Sequence, residues 1–156
     1  MTTPAYWAST SPTSRFPTDK AVIRIKSRSF FLNIDSFDDV IAYIAKECAA
    51  AGCDEDTIGH ITIASSEILA NIDSYAYENG GKVEILTRGR DRRMTIVFKD
   101  NGPPFNPLQV AEPDVSGPLS QRRRGGLGIF IVRKLMRDVR YAYENGQNVM
   151  TIETDF

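Results

Sequence analysis

Two pairs of alternating segments, each pair closed by a tight-turn signal, constrain this chain more than any other feature of it. Lys82 to Arg88 and Met94 to Lys99 alternate apolar and polar side chains around Gly89-Arg90-Asp91-Arg92, and Val139 to Tyr143 and Val149 to Thr154 do so around Asn145-Gly146. Strands joined by turns this short must pair antiparallel, because a parallel partner needs a crossover of a dozen or more residues. A doubly wound parallel sheet is therefore excluded. Ala21-Val-Ile-Arg-Ile-Lys26 adds one more alternating segment ahead of them.

Helical spacing occupies the intervals. Asp35 and Ser36 offer N-caps to a helix using Phe37, Val40, Ile41 and Ile44, which runs out at Ala51-Gly52. Asp54 to Asp56 place acidic residues at the positive end of a second helix, whose stripe of Ile58, Ile61, Ile63, Ile68 and Leu69 continues towards Tyr77 until Asn79-Gly80-Gly81 breaks it. Leu127 to Arg137 returns to helical spacing. The order strand, two helices, two strands, long loop, helix, two strands predicts an α/β (α+β) two-layer sandwich. Its mixed, mostly antiparallel sheet would carry helices on one face.

The bulk properties narrow the function classes. The chain's 156 residues suit one domain, expected over residues 20–156, with residues 1–19, rich in Ser, Thr and Pro, as a loose arm. A formal net charge of −1 gives no support to a general nucleic-acid or membrane role. There is no apolar run near the ~20 residues of a membrane span, and no signal-peptide pattern, so the cytoplasm is the default expectation. Cys48 and Cys53 are too few for a disulfide framework. They could be neighbours near a helix end, though idle buried thiols are the expected state.

Three segments could carry chemistry, each at an element boundary. Glu67, Asn71 and Tyr75 are spaced i, i+4, i+8 and share one face of the second helix. A carboxylate and a carboxamide so placed can hold a divalent cation or position a hydroxyl, although taken alone such a face is more often merely solvated. Asp100-Asn101-Gly102 ends a strand and opens the long loop; alone it reads as a turn, but its carboxylate can accept a hydrogen bond from an exocyclic amine while Gly102 lets a flat ring approach. Arg124-Gly125-Gly126-Leu127-Gly128 closes that loop and opens a helix, where exposed backbone N–H groups suit phosphate and a plain flexible junction is the competing reading. It is neither a Walker A motif nor the dinucleotide fingerprint. The loop between, residues 101–125, is long for a compact domain and reads as a lid.

In this order and on these elements, Glu67-x-x-x-Asn71, Asp100-x-Gly102 and Gly126-x-Gly128 resemble the N, G1 and G2 boxes of the histidine-kinase-like (GHKL) ATPases. The helix ending Tyr75-Ala-Tyr77, the segment Asp100 to Pro107 and the run Gly125 to Met136 are further similar to the anti-sigma-factor serine/threonine kinases, over about residues 20 to 156. The resemblance implies a Bergerat-type site for ATP and Mg²⁺, in which Asn71 coordinates the metal and Glu67 acts as base. It further implies that Asp100 and Gly102 bind adenine, and that Gly126 and Gly128, with Gly125 and Leu127 beside them, cradle phosphate; Arg122 to Arg124 stand near the hinge of the lid, where Arg124 could reach a γ-phosphate and a solvated basic run is the competing reading. Partners implied are a sigma factor and a small anti-anti-sigma antagonist. Homodimers are common in that family, though no exposed stripe here requires one. Tyr75 departs from the pattern by standing where that family usually has His; a phenol can still donate a hydrogen bond there, but imidazole chemistry is lost. The alternative is a non-catalytic, nucleotide-bound module that acts only by sequestering a partner. His60, two turns before Glu67, is expected to pack or face solvent.

Overall fold

A computed structural model of the chain describes residues 23–32, 35–76, 81–111, 116 and 126–156. The expected arm (1–19), Arg122 to Gly125 and Tyr77 lie outside the described residues, as do the side chain of Tyr75 and most of the long loop.

Five strands form one sheet: β1 (Arg24–Phe31), β2 (Lys82–Arg90), β3 (Arg93–Asp100), β4 (Asp138–Glu144) and β5 (Gln147–Asp155), in the order β1-β2-β3-β5-β4. Every described pairing is antiparallel, so the sheet is more uniform than the mixed one expected. Both hairpins fall where the turn signals put them. Asn145 and Gly146 take positive φ of 53° and 74°, and Asp91 and Arg92 take 50° and 56°, the left-handed pair that a two-residue turn between twisted strands requires. The β4–β5 hairpin inserts β5, not β4, beside β3, which brings Asn148 opposite Asp100.

The first strand is displaced from its expected position. It starts at Arg24 and runs to Phe31, and the register sets Ile25 against Arg88 on the face away from the helices, leaving Ile25 61% exposed. Phe30, not the isoleucines, turns inward. The alternation was of the right period, but its apolar side belongs to the open face of an edge strand.

The helices α1 (Phe37–Ala51), α2 (Glu55–Ala76) and α3 (Leu127–Leu135) lie on the other face. Ser36 caps α1 in a reciprocal arrangement with Asp39, and Gly52 closes it in the left-handed conformation at φ 96°. The Asp54 carboxylate accepts from Thr57 N at 2.7 Å, satisfying an orphan donor at the start of α2. The core joins Val83, Ile85, Ile96, Phe98, Met150 and Ile152 of the sheet to Val40, Ile44, Ile61, Ile68, Leu69 and Val132 of the helices. Gly89 is the point of closest approach: a Cβ there would stand 2.8 Å from the Ala51 side chain, so only glycine lets the end of α1 rest on β2. None of the described helices is long and apolar enough to cross a membrane.

Candidate functional site

Asp100 is the last residue of β3 and points to the helical side, 5% exposed. An isolated carboxylate buried so deeply would be costly, and its neighbours answer that cost with hydrogen bonds. Gly102 N donates to Oδ1 at 2.9 Å and Asn148 Nδ2 donates to the same oxygen at 3.0 Å. Both bonds fall on Oδ1. These bonds leave Oδ2 able to accept from a group entering the cleft.

Asn148 organises the rest of this corner. Its amide also donates to the carbonyls of Gly102 (3.2 Å) and Pro103 (3.0 Å), while its Oδ1 accepts from Phe105 N (3.0 Å) and Tyr141 OH (2.6 Å). One buried side chain thus ties the segment after β3 to β4 and β5. Burial pushes the Tyr141 phenol above its ordinary range, which keeps it a neutral donor. Asn106 then caps a single 3-10 turn at Pro107–Gln109, with Leu108 N donating to its side chain at 2.9 Å. The segment from Asn101 to Ala111 is in this way organised by hydrogen bonds, where sequence periodicity gave no element.

Above Asp100 opens a cleft. Ile68 and Ile72 of α2, Ile129 of α3, Met150 of β5 and the rings of Phe105 and Pro107 wall it. Asn71, Asp100, Tyr141 and Asn148 are its polar members. A flat apolar slot with one carboxylate oxygen at its floor suits a planar heteroaromatic ring bearing an exocyclic amine.

Asn71 reaches the cleft from α2, and its buried amide nitrogen has no hydrogen-bond partner among the described residues. One turn earlier, the Glu67 side chain lies against α3: a Cβ on Gly128 would overlap Glu67 Oε2 and stand 3.4 Å from its Cδ. The carboxylate therefore sits over the first turn of α3, at the positive end of that helix. Gly126 begins α3 at φ 86° with no side-chain cap, so the N–H groups of Leu127 and its successors in the first turn have no intrahelical acceptor.

The structure thus brings Asn71 and Asp100 to one cleft, with Gly102 bonded to Asp100 beside it. Glu67, Gly126, Leu127 and Gly128 stand at its α2–α3 edge. It does not describe Arg124, Gly125 or the Tyr75 side chain. Sequence reasoning missed Asn148 and Tyr141. The available signal for Asn148 was an amide at the inward position of an otherwise apolar alternation, Asn148, Met150, Ile152.

The model of the histidine kinase-like ATPase domain matches residues 32–154, from just after β1 through nearly all of β5. The chain belongs to the histidine kinase-like ATPase domain family. Within this family it is similar to the serine-protein kinase RsbW of Bacillus thuringiensis (strain Al Hakam), at 31% identity over 100 residues, 61% of this chain and 62% of that protein. The RsbW of Bacillus anthracis is 33% identical over the same shares of both chains. The matched region thus spans 62% of the length of these curated relatives. A histidine kinase-like ATPase domain accounts for the antiparallel sheet with helices on one face.

Proposed function

We propose that this chain is a cytoplasmic ATP-dependent protein serine/threonine kinase that sequesters a sigma factor and phosphorylates a small anti-anti-sigma antagonist in a partner-switching system. The observation that carries the nucleotide reading is the Asp100 carboxylate, whose bonds to Gly102 and Asn148 both fall on Oδ1, in an apolar cleft bordered by the uncapped N-terminus of α3. Adenine would lie between Ile68, Ile72 and Met150 and donate its exocyclic amine to Asp100 Oδ2. The phosphates would take the open N–H groups at Leu127 and Gly128.

The residues present fit Mg²⁺ in a particular way. Among the described residues no group of three His, Cys, Asp or Glu side chains gathers to cage a metal. Mg²⁺ held by one or two protein oxygens plus substrate phosphates needs no such cage. Asn71 offers a carboxamide oxygen for the metal, and its partnerless amide nitrogen for a phosphate oxygen. Bound there, Mg²⁺ would neutralise phosphate charge. Glu67, fixed over α3, would accept the proton of the attacking hydroxyl, and the walls of the cleft would exclude water from the base.

Glu67→Gln tests the assignment. Transfer of labelled phosphate from ATP to the antagonist should vanish, while the affinity for Mg-ATP changes less than threefold; equal transfer by variant and parent removes Glu67 from the role. If the parent binds Mg-ATP yet phosphorylates nothing, the non-catalytic sequestering module is the correct reading instead.

A further inference from the structure

Far from the cleft, the elbow between α1 and α2 holds both cysteines of the chain. Gly52 N donates to Ala49 O at 3.0 Å and Cys53 N donates to Cys48 O at 3.1 Å. Together with the left-handed Gly52, these bonds make a Schellman closure, in which the residue after the glycine folds back against the residue five positions earlier. That contact is usually made by two apolar side chains. Here it is made by two thiols, within hydrogen-bonding reach of each other. One peptide hydrogen bond joins their backbones directly, which holds the Cα atoms within the spacing a disulfide spans, roughly 4.4–6.8 Å.

The two thiols are not equivalent. Cys48 is wholly buried in the core, whereas Cys53 keeps 9% of its surface exposed. Cys53 also directly precedes Asp54, the capping residue of α2, so it stands at the positive end of a 22-residue helix. The hydrogen bond from Cys48 draws the Cys53 thiol below its ordinary pKa, against the opposing effects of burial and the Asp54 charge. The same bond, with burial added, drives Cys48 upward. Cys53 is thus the thiol that an oxidant can reach, with Cys48 held behind it.

We infer that Cys53 and Cys48 form a peroxide-reactive dithiol, with Cys53 the attacking and Cys48 the resolving thiol, which closes to an intramolecular disulfide across the α1–α2 elbow. The Cys53 thiolate attacks one peroxide oxygen; the O–O bond breaks, hydroxide leaves and Cys53 becomes a sulfenic acid. The Cys48 sulfur then attacks the Cys53 sulfur, the S–O bond breaks, and the Cys48 proton leaves with the hydroxyl as water. Two thiols lose two electrons and the peroxide is reduced to water. A thiol reductant reverses the closure.

The test treats the folded full-length chain with hydrogen peroxide, unfolds it, alkylates it and measures the intact mass. The expected product is a monomer lighter by two hydrogens with neither cysteine alkylated, restored to two alkylations by prior reduction. Two alkylated cysteines after peroxide, or a disulfide-linked dimer, would overturn the inference. These readings are made on the unsubstituted chain and do not depend on any variant folding. Cys48→Ser should accumulate a sulfenic acid at Cys53 that dimedone traps, and Cys53→Ser should leave Cys48 unmodified over the time in which the parent is fully converted. Dimedone labelling of Cys48 in the second variant but not of Cys53 in the first would reverse the roles and sink the assignment.

Discussion

Gly128→Ala isolates the positioning of Glu67 from the stability of the fold. The added Cβ would overlap Glu67 Oε2 and lie 3.4 and 3.5 Å from its Cδ and Cβ. The carboxylate is the free end of a flexible side chain, so it swings aside and α3 stays in place. Alanine within a helix gains about 0.8–1.0 kcal/mol over glycine, and an off-rotamer Glu67 costs about 0.5–1.5 kcal/mol. The two nearly cancel, so the melting temperature should move by less than about 4 °C. Displacing a base by an ångström, in contrast, costs on the order of 100-fold in rate. Thermal melts and transfer of labelled phosphate to the antagonist, run side by side, should therefore separate: near-parental melting with a transfer rate down about two decades. A cycle with Glu67→Ala supplies the control. Removing the Glu67 carboxylate removes the overlap, so adding Gly128→Ala should then leave the affinity for Mg-ATP and the melting temperature unchanged or slightly improved. The reasoning fails if the single variant transfers phosphate within threefold of the parent. It fails equally if Gly128→Ala lowers nucleotide affinity by the same factor in both backgrounds, since the glycine would then be serving the phosphates directly.

Three further outcomes follow from described bonds. Asp100→Asn keeps an acceptor for Gly102 N but loses the charged Oδ2, a change of about 1.5–3 kcal/mol, and should weaken ATP binding by calorimetry about 10- to 150-fold; parental affinity would remove Asp100 from base recognition. Asn148→Leu removes the acceptor of Tyr141 OH and Phe105 N and one of the two donors to Asp100 Oδ1; weakened buried polar groups cost about 1–3 kcal/mol each, so the melting temperature should fall by about 5–15 °C, and a shift under 2 °C would contradict the hub described. Asp39, Asp54 and Asp155 are all held below the usual carboxylate range, by the Ser36 side chain and amide, by the Thr57 amide and hydroxyl, and by Arg93 then Arg137 respectively. Depressed folded values mean that this stability is present above the unfolded range near 3.9 and is lost as pH falls through the lower folded values. The urea midpoint should thus be flat above about pH 5 and decline below about pH 4, less steeply in Asp54→Asn; a midpoint that rises on acidification would refute the sign.

Periodicity made most elements legible, because each helix and strand is buried on one face and its apolar residues must recur at the matching interval. The limits came where a side chain's role depends on what lies opposite. Ile25 alternates correctly yet faces outward, since an edge strand's register with β2 decides which of its faces meets the helices. Asn148 reads as the tail of the Asn145-Gly146 turn until β5 is placed beside β3, a choice of neighbour that the hairpin alone leaves open. Glu67 and Asn71 were found from spacing, but the closeness of Glu67 to Gly128 depends on how α2 packs on α3. The cysteines, expected to be idle, meet because Gly52 closes the helix in a way that only the backbone reveals.

Glu67 and Asn71 ride on one rigid rod of 22 residues, whereas Asp100 and Asn148 are anchored in adjacent strands. With the roles proposed here, the polar contact to the base and the phosphate chemistry belong to different elements, the sheet on one side and α2 with α3 on the other. A core substitution that slides the rod, such as one at Ile61 or Leu69, would shift rate and metal affinity together while leaving the choice of base untouched. Selection on such a protein could retune turnover through its hydrophobic core without ever altering which nucleotide it reads.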